Sequence, residues 1–363
     1  MSEIRIAIRD AALILRGIYE YNVGSRLGLL LPRQWLFPVT YRCNGRCVMC
    51  NIWQCRGSDE LSTEQWRQVL ADPLFRSVES ISLSGGEPTL REDLPQLTQL
   101  LIERLPALHR LTLTTNALNS PRVLSHCEQI IDLCSDRGIH FFVGVSLDGI
   151  GPVHDDMRGI PGAFDKVSAT LAELELLRPF GLRIGANCTL TARNLHDAEN
   201  VRRWCEQRKL PVNFIVASFA EAYYGNLESE QELGLRPEQR IELAQFLSQQ
   251  AARRSPSNLA AYFYGDASRM LAKGAARATP CIFQKDGFIL DARGDMQYCM
   301  YSRLLGNVRH ESPRAMYAEP DNVTHRQEII ATRCARCSIT CFLEIGLAKD
   351  AFRYLGFLLG GGT

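Results

Sequence analysis

Residues 41–53 read YRCNGRCVMCNIW. Cys43, Cys47 and Cys50 lie within eight residues of one another, and Gly45 relaxes the backbone between the first two. Thiolates so close together can bind one inorganic centre. An ordinary 4Fe-4S cluster takes four cysteines, so a site with three leaves one iron open to another ligand.

A structural zinc site is the alternative interpretation of this stretch. Such sites take four ligands, commonly from cysteine pairs with two to four residues between them. No histidine lies nearby, and Cys55 is the thiol that could complete a zinc set. Residues 52–54, however, are typical of a chain that leaves the loop, so the open cluster is the preferred interpretation.

A second motif follows one apolar strand later, where residues 84–88 read SGGEP. Together with the spacing Cys-x3-Cys-x2-Cys, this order resembles the radical SAM enzymes. The resemblance implies that the first three cysteines ligate a 4Fe-4S cluster whose open iron binds S-adenosylmethionine. It further implies that Met49 lies beside the adenine and that Gly85, Gly86 and Glu87 hold the methionine amino group.

The same resemblance implies an activity. An external one-electron reductant such as flavodoxin or ferredoxin reduces the cluster, and S-adenosylmethionine is cleaved to a 5'-deoxyadenosyl radical. The cofactors carry the difficult chemistry, while the protein binds and orients them.

Composition restricts the function classes. The 363 residues suggest one large domain with a smaller one, and 46% hydrophobic residues suffice for a large core. The net charge is +1 without a dense Lys/Arg run, so a nucleic-acid substrate is not expected. Thirteen cysteines without a signal peptide, spaced as metal ligands, favour a reducing cytoplasm. Four single cysteines are expected to be core thiols: Cys127, Cys134, Cys188 and Cys205.

Residues 3–19 have apolar side chains at helical spacing, which predicts an amphipathic helix within an N-terminal segment, residues 1–34. Packing against the main domain is the preferred interpretation, and a membrane-surface helix is the alternative. No stretch approaches the roughly 18 apolar residues of a membrane span, so membrane contact is not expected.

Short apolar runs then alternate with helical patterns, which predicts parallel strands joined by helices. The predicted helices lie near residues 62–71, 93–104, 121–134, 163–178 and 195–208. The predicted strands are Leu36–Tyr41, Ser80–Leu83, Arg110–Thr114, Phe141–Leu147, Arg183–Leu190 and Val212–Val216.

Polar residues collect where these strands end, at the edge on which barrels of this kind build active sites. The alternating elements fit a barrel or a doubly wound sheet, and the position of the polar residues favours the barrel. The family resemblance implies a partial (β/α)6 TIM-like barrel, so the fold class is predicted as α/β with this barrel and a small C-terminal cysteine-rich α+β domain. At this edge the family resemblance implies Ser146 and Asp148 as ribose contacts, with Asn187 as a further candidate. Asp148 could instead be a turn residue. Arg158 is predicted to pair with a carboxylate of S-adenosylmethionine or substrate, or to cap a surface helix.

Beyond the last strand the pattern changes at residue 218. We expect a barrel over residues 35–217, a helical linker over 218–277, and a cluster domain over 278–345. A C-terminal helix and tail cover residues 346–363. Within the linker, Glu221–Gln231 reads as a flexible polar segment.

The last five cysteines form a second group. Cys281 and Cys299 are expected on either side of a hairpin formed by residues 288–290 and 296–298. The spacing resembles the twitch domain, a shortened SPASM domain behind radical SAM barrels. That resemblance implies one auxiliary 4Fe-4S cluster on Cys281, Cys299, Cys334 and Cys337, with structural zinc as the alternative. Cys341 is then left over as a spare thiol, a substitute ligand, or a catalytic hydrogen-atom donor.

The resemblance leaves the substrate open. We expect an oxidation of a sugar, polyol or aminocyclitol, because only a short segment precedes the first strand, where peptide maturases often carry a leader-recognition domain. The alternatives are maturation of a ribosomally made peptide, a redox-neutral epimerisation, and a scaffold that has lost catalysis. Met300 stands where several relatives carry an acidic base, which weakens transfer of the sulfatase-maturase mechanism.

Overall fold

The structure is a computed structural model that describes residue 19 and residues 31–55, 59–254 and 258–338. Apart from Tyr19, the predicted N-terminal helix lies outside the described residues. Cys341 and the predicted helix and tail over residues 346–363 lie outside them as well.

Each of the six predicted strands is present with its ends shifted by at most two residues. The strands are β1 (Gln34–Thr40), β2 (Ser80–Gly85), β3 (Arg110–Thr115), β4 (His140–Ser146), β5 (Arg183–Leu190) and β6 (Val212–Val216). They are parallel and occupy the spatial order β6-β5-β4-β3-β2-β1. Within the described residues β6 pairs only with β5, so the barrel is open, and the predicted α/β half-barrel is confirmed.

Helices between the strands cover the sheet with one apolar face. In the helix Leu94–Arg104, for example, Leu94, Leu97 and Leu101 are buried at helical spacing, whereas Gln96 and Gln99 are exposed. The helices of this part are α1 (Thr63–Val69), α2 (Leu94–Arg104), α3 (Ser120–Arg137), α4 (Pro152–Arg158), α5 (Ala163–Glu175), α6 (Ala198–Gln207), α7 (Glu221–Tyr224) and α8 (Glu230–Leu233).

Three short antiparallel strands extend the sheet beyond β1: β7 (Gly287–Leu290), β8 (Asp295–Gln297) and β9 (Gly306–Asn307). The predicted hairpin is thus confirmed. An aromatic cluster attaches it, because the buried Trp35 ring stacks on Phe288 and its indole donates to the Leu290 carbonyl at 3.0 Å. Burial of rings of this size stabilises the joint.

The described chain divides into two units. One holds Arg33–Gly234 and Phe288–Val323, that is, the half-barrel, the antiparallel strands and α11 (Pro313–Ala318). The other holds Leu235–Gly287 and the described residues from Thr324 onward, with α9 (Pro237–Ala252), α10 (Leu259–Lys273) and most of α12 (Pro320–Thr332). Among the described helices none is long and apolar enough to cross a membrane.

Candidate active site

The cysteine loop, residues 41–51, leaves β1 at the carboxyl edge of the sheet. Its three cysteines are half-buried. A β-carbon built on Gly45 would lie 3.4 Å from the Cys47 sulfur and 3.6 Å from the Cys43 sulfur, so these two sulfurs flank the same glycine. The Gly45 amide donates to the Cys43 sulfur at 3.4 Å.

Two segments hold the loop by its backbone. On one side, the amides of Arg46 and Val48 donate to the last carbonyls of α4, on Arg158 and Met157, each at 3.0 Å. These are carbonyls that a helix end leaves without an internal partner. The loop therefore takes its shape from the end of α4.

The second segment is α7 with the residues that follow it. The Asn51 amide donates to the Tyr224 carbonyl at 2.9 Å, and the buried Asn226 side chain donates to the Met49 carbonyl at 2.7 Å. The prediction of a flexible polar link over Glu221–Gln231 is therefore wrong. Its polar residues form two short helices, and their side chains and carbonyls pair with the cysteine loop.

Met49 lies in an apolar patch beside the three cysteines. Its side chain is buried with Met157 and Leu233, and Val48 and Phe219 pack against them. A flexible thioether adapts to flat apolar partners, so the patch suits the predicted place of the adenine. That contact stays a prediction.

The glycine pair at the end of β2 lies directly against the start of the cysteine loop. The Gly86 amide donates to the Thr40 carbonyl and the Glu87 amide to the Arg42 carbonyl, both at 2.8 Å. Gly85 has a φ of +111°, and a β-carbon on Gly86 would come within 2.2 Å of the Arg42 carbonyl oxygen. Only glycine permits this approach, so the two motifs are one backbone-paired unit.

Glu87 points into the interior. One carboxylate oxygen accepts from the Thr89 amide and hydroxyl and from the Thr115 hydroxyl, and the other accepts from the Asn116 amide at 2.7 Å. Burial raises the pKa of Glu87, and these hydrogen bonds oppose the rise. The Asn116 side chain continues the chain of contacts, donating to Asn44 of the cysteine loop at 2.8 Å.

We expect Glu87→Gln to destabilise the fold by about 1–3 kcal/mol, because an amide nitrogen cannot accept from every donor that the carboxylate satisfies. Urea unfolding of the metal-free protein measures the loss. The exposed neighbour Glu92 is the matched control, and Glu92→Gln should stay within about 0.5 kcal/mol of the parent. Equal stability of the two variants would contradict the buried network.

The predicted ribose-side residues and Arg158 form two pairs. Ser146 ends β4 and its register partner Asn187 lies within β5, and both are half-buried. Asp148 is instead buried and paired with Arg158, with 2.5 Å between Oδ2 and Nη2, and it accepts from the Thr189 amide at 2.7 Å. The buried Arg158 is not a surface cap. Contacts of these four residues with S-adenosylmethionine stay predictions.

Without a metal, burial around the loop favours the protonated form of its thiols. Burial raises the pKa of Cys43 to about 11 and that of Cys50 to about 12. Metal must therefore displace protons to bind. Among the described residues no group of three or more His, Cys, Asp or Glu side chains is arranged to hold a metal ion. A four-iron cluster is compatible with wider spacing, since each cysteine ligates a different iron.

The other unit brings three of the tail cysteines together. Burial raises the pKa of Cys281 to about 11, Arg277 lowers it, and Cys337 and Cys334 raise it further. Arg277 also donates to the Cys337 carbonyl at 3.1 Å and to the Pro280 carbonyl at 3.3 Å. Sequence reasoning missed this arginine, which had no motif of its own.

Cys299 follows β8 and belongs to the half-barrel unit, whereas Cys281, Cys334 and Cys337 belong to the other unit. The Cys299 carbonyl accepts from the Ser302 amide at 3.0 Å. The neighbouring Met300 side chain is buried. The four-cysteine auxiliary site therefore stays a prediction.

One protein family and two individual relatives match part of this chain. Residues 37–204 match the family described as the Radical SAM superfamily. The chain is 33% identical over 178 residues to the Fe-coproporphyrin III synthase of Methanosarcina barkeri, which covers 48% of this chain and 41% of that protein. It is 33% identical over 144 residues to the PqqA peptide cyclase of Rhizobium meliloti, which covers 39% of this chain and 36% of that protein. Both matches span less than half of the relative.

Solved structures share the fold. SuiB of Streptococcus suis bound to S-adenosylmethionine superposes with a TM-score of 0.60 at 13% identity, covering 95% of this chain and 80% of that one. Native anSMEcpe with bound AdoMet superposes with a TM-score of 0.59 at 16% identity, covering 91% and 98%. At these identities the likeness concerns the fold alone.

Proposed function

Because residues 37–204 of this chain form a Radical SAM domain, we propose that the protein removes a hydrogen atom from a substrate carbon. The observation that carries the proposal is that the Gly86 and Glu87 amides donate to backbone carbonyls where β1 passes into the cysteine loop. When bound, a 4Fe-4S cluster and S-adenosylmethionine supply one-electron reductive cleavage to a 5'-deoxyadenosyl radical. An external flavodoxin or ferredoxin would supply the electron.

The chain's own residues bind and orient. Cys43, Cys47 and Cys50 would hold the cluster on a loop whose backbone is fixed from two sides. The absence of side chains at Gly85 and Gly86 lets this stretch lie against the Thr40 and Arg42 carbonyls, next to the loop that would hold the cluster. In that place the stretch is proposed to contact the amino acid part of S-adenosylmethionine. Orientation of this kind contributes a large part of catalysis, because a misplaced reactive group reacts far more slowly.

The tail cysteines are proposed to hold an auxiliary 4Fe-4S cluster, with Arg277 and Asp266 fixing the segment that carries Cys281. Asp266 accepts from the Ala278 amide at 2.9 Å and the Thr279 amide at 2.7 Å. A second redox centre in the same chain as a one-electron initiator suits a net oxidation or a bond-forming step.

Anaerobic reconstitution should therefore yield about eight iron atoms per chain, four for each cluster. We expect Cys337→Ala to remove about half of that iron while basal formation of 5'-deoxyadenosine persists, because the N-terminal cysteines are untouched. Iron and acid-labile sulfide are measured together with zinc. A parent protein with half the iron and one retained zinc would instead establish a structural zinc site in the tail.

A peptide is the proposed substrate class. The relatives do not support the predicted sugar, polyol or aminocyclitol, whereas the PqqA peptide cyclase and the structure of SuiB bound to its precursor peptide SuiA support the peptide alternative. A tetrapyrrole is the second candidate, because the chain is also 33% identical to Fe-coproporphyrin III synthase over 178 residues.

A substrate panel separates these classes. The reconstituted protein is incubated with S-adenosylmethionine, reductant and either a short precursor peptide from a neighbouring gene, iron coproporphyrin III, or an aminocyclitol. The true class should stimulate 5'-deoxyadenosine formation above the uncoupled rate, and a deuterated substrate should transfer its label to that product. A loaded, reduced protein that forms no 5'-deoxyadenosine at all would favour a scaffold without catalysis.

A further inference from the structure

Arg158 contacts a cysteine of the loop directly, and no sequence motif indicated this contact. Its Nη1 donates to the Cys47 sulfur at 3.4 Å, while Nη2 lies 2.5 Å from the Asp148 carboxylate. Arg158 is 8% exposed and Asp148 is 1% exposed. We propose that Arg158 raises the reduction potential of the cluster bound by Cys43, Cys47 and Cys50, and that Asp148 positions it.

Several contacts fix the backbone of Arg158 and the side chain of Asp148 with which its guanidinium pairs. The Arg158 carbonyl accepts from the Arg46 amide at 3.0 Å, which joins the end of α4 to the cysteine loop. Gly159 continues the chain with a φ of +62°, and a β-carbon there would lie 2.3 Å from the Arg46 carbonyl oxygen. Asp148 in turn is held by the Thr189 amide and donates its own amide to His154 at 3.0 Å.

Charge decides the direction of the effect. Reduction adds an electron to a cluster that is already bound by thiolates. A buried cation that donates to a ligand sulfur stabilises the reduced form more than the oxidised form, which raises the potential. The carboxylate of Asp148 acts the other way, because it partly neutralises the cation. The two side chains therefore shift the potential in opposite directions.

This inference rests on the proposed function, since it presupposes a cluster on the N-terminal cysteines. Its test is a redox titration of the reconstituted cluster, followed by electron paramagnetic resonance without S-adenosylmethionine. At the parent's midpoint potential, Arg158→Gln should lower the ratio of reduced to oxidised cluster by on the order of tenfold, because a charged donor is lost. Asp148→Asn should raise that ratio. The exposed Arg178 is the control, and Arg178→Gln should leave the ratio unchanged.

The sign of the two shifts distinguishes tuning from a structural role. Shifts in the same direction, or an unchanged potential in Arg158→Gln with its iron intact, would overturn the inference. Weaker binding of S-adenosylmethionine at an unchanged potential would do so as well, and would assign Arg158 to the cofactor carboxylate. If Arg158→Gln binds no iron, Asp148→Asn and Arg158→Lys carry the test, and Lys should give an intermediate ratio. A parent protein without a cluster signal would overturn the proposed function itself.

Discussion

Replacing Cys43 with alanine should remove about four iron atoms per chain and abolish formation of 5'-deoxyadenosine. The loop offers three cysteines, and Cys43 lies beside the Gly45 amide and the Asn116 side chain that hold its sulfur in place. Loss of one ligand exposes a second iron, and an under-ligated cluster is not retained during reconstitution. Iron content and product formation are measured on the same anaerobic sample.

Cys55→Ala is the matched control. Cys55 lies five residues after Cys50 and is exposed, and it is the thiol that a zinc interpretation would recruit. We expect the variant to keep the iron and the activity of the parent. If Cys55→Ala loses metal while the parent contains zinc and little iron, the interpretation of the cysteine loop as an open-cluster site is wrong.

Replacing Gly86 with alanine should lower the rate of 5'-deoxyadenosine formation about 100-fold, because a displacement of about 1 Å at a reacting centre has an effect of that size. The new β-carbon would lie 2.2 Å from the Arg42 carbonyl oxygen and 2.8 Å from the Arg42 carbonyl carbon. Both contacts are backbone, so the cysteine loop must move. We also expect a loss of about 1–3 kcal/mol in the free energy of unfolding.

Gly265→Ala controls for the loss of a glycine as such. Gly265 lies within α10, and a β-carbon there meets no described heavy atom within 4 Å. The change should stabilise the helix by about 0.5–1 kcal/mol. Cleavage at the parent rate in Gly86→Ala would show that the glycine stretch and the loop need not be paired for function.

The half-barrel was predictable because most of its elements have a local signal. Apolar runs predicted β1 to β6, and amphipathic spacing predicted the helices between them except α4, which the sequence analysis missed. The C-terminal edge of the sheet then collects Cys43, Glu87 and Asn116, since parallel strands end on one side. The turn between two short apolar runs also predicted the hairpin of β7 and β8.

The partners of the polar side chains were not predictable in the same way. Asp148 and Arg158 are ten residues apart, and either could have faced solvent or ligand. The segment around α7 shows the same limit, because its polar composition indicated a flexible link. In the fold, Asn226 and the Tyr224 carbonyl satisfy backbone groups of the cysteine loop.

Period and spacing along the chain were enough to find the strands, most of the helices, the two cysteine groups and the glycine stretch that accompanies the first group. The burial of Glu87 in a hydrogen-bond network, and the position of Arg158 between Asp148 and the Cys47 sulfur, emerged only from the folded chain. Buried polar groups take whichever partners the packed backbone brings within reach, and that choice depends on contacts between distant segments.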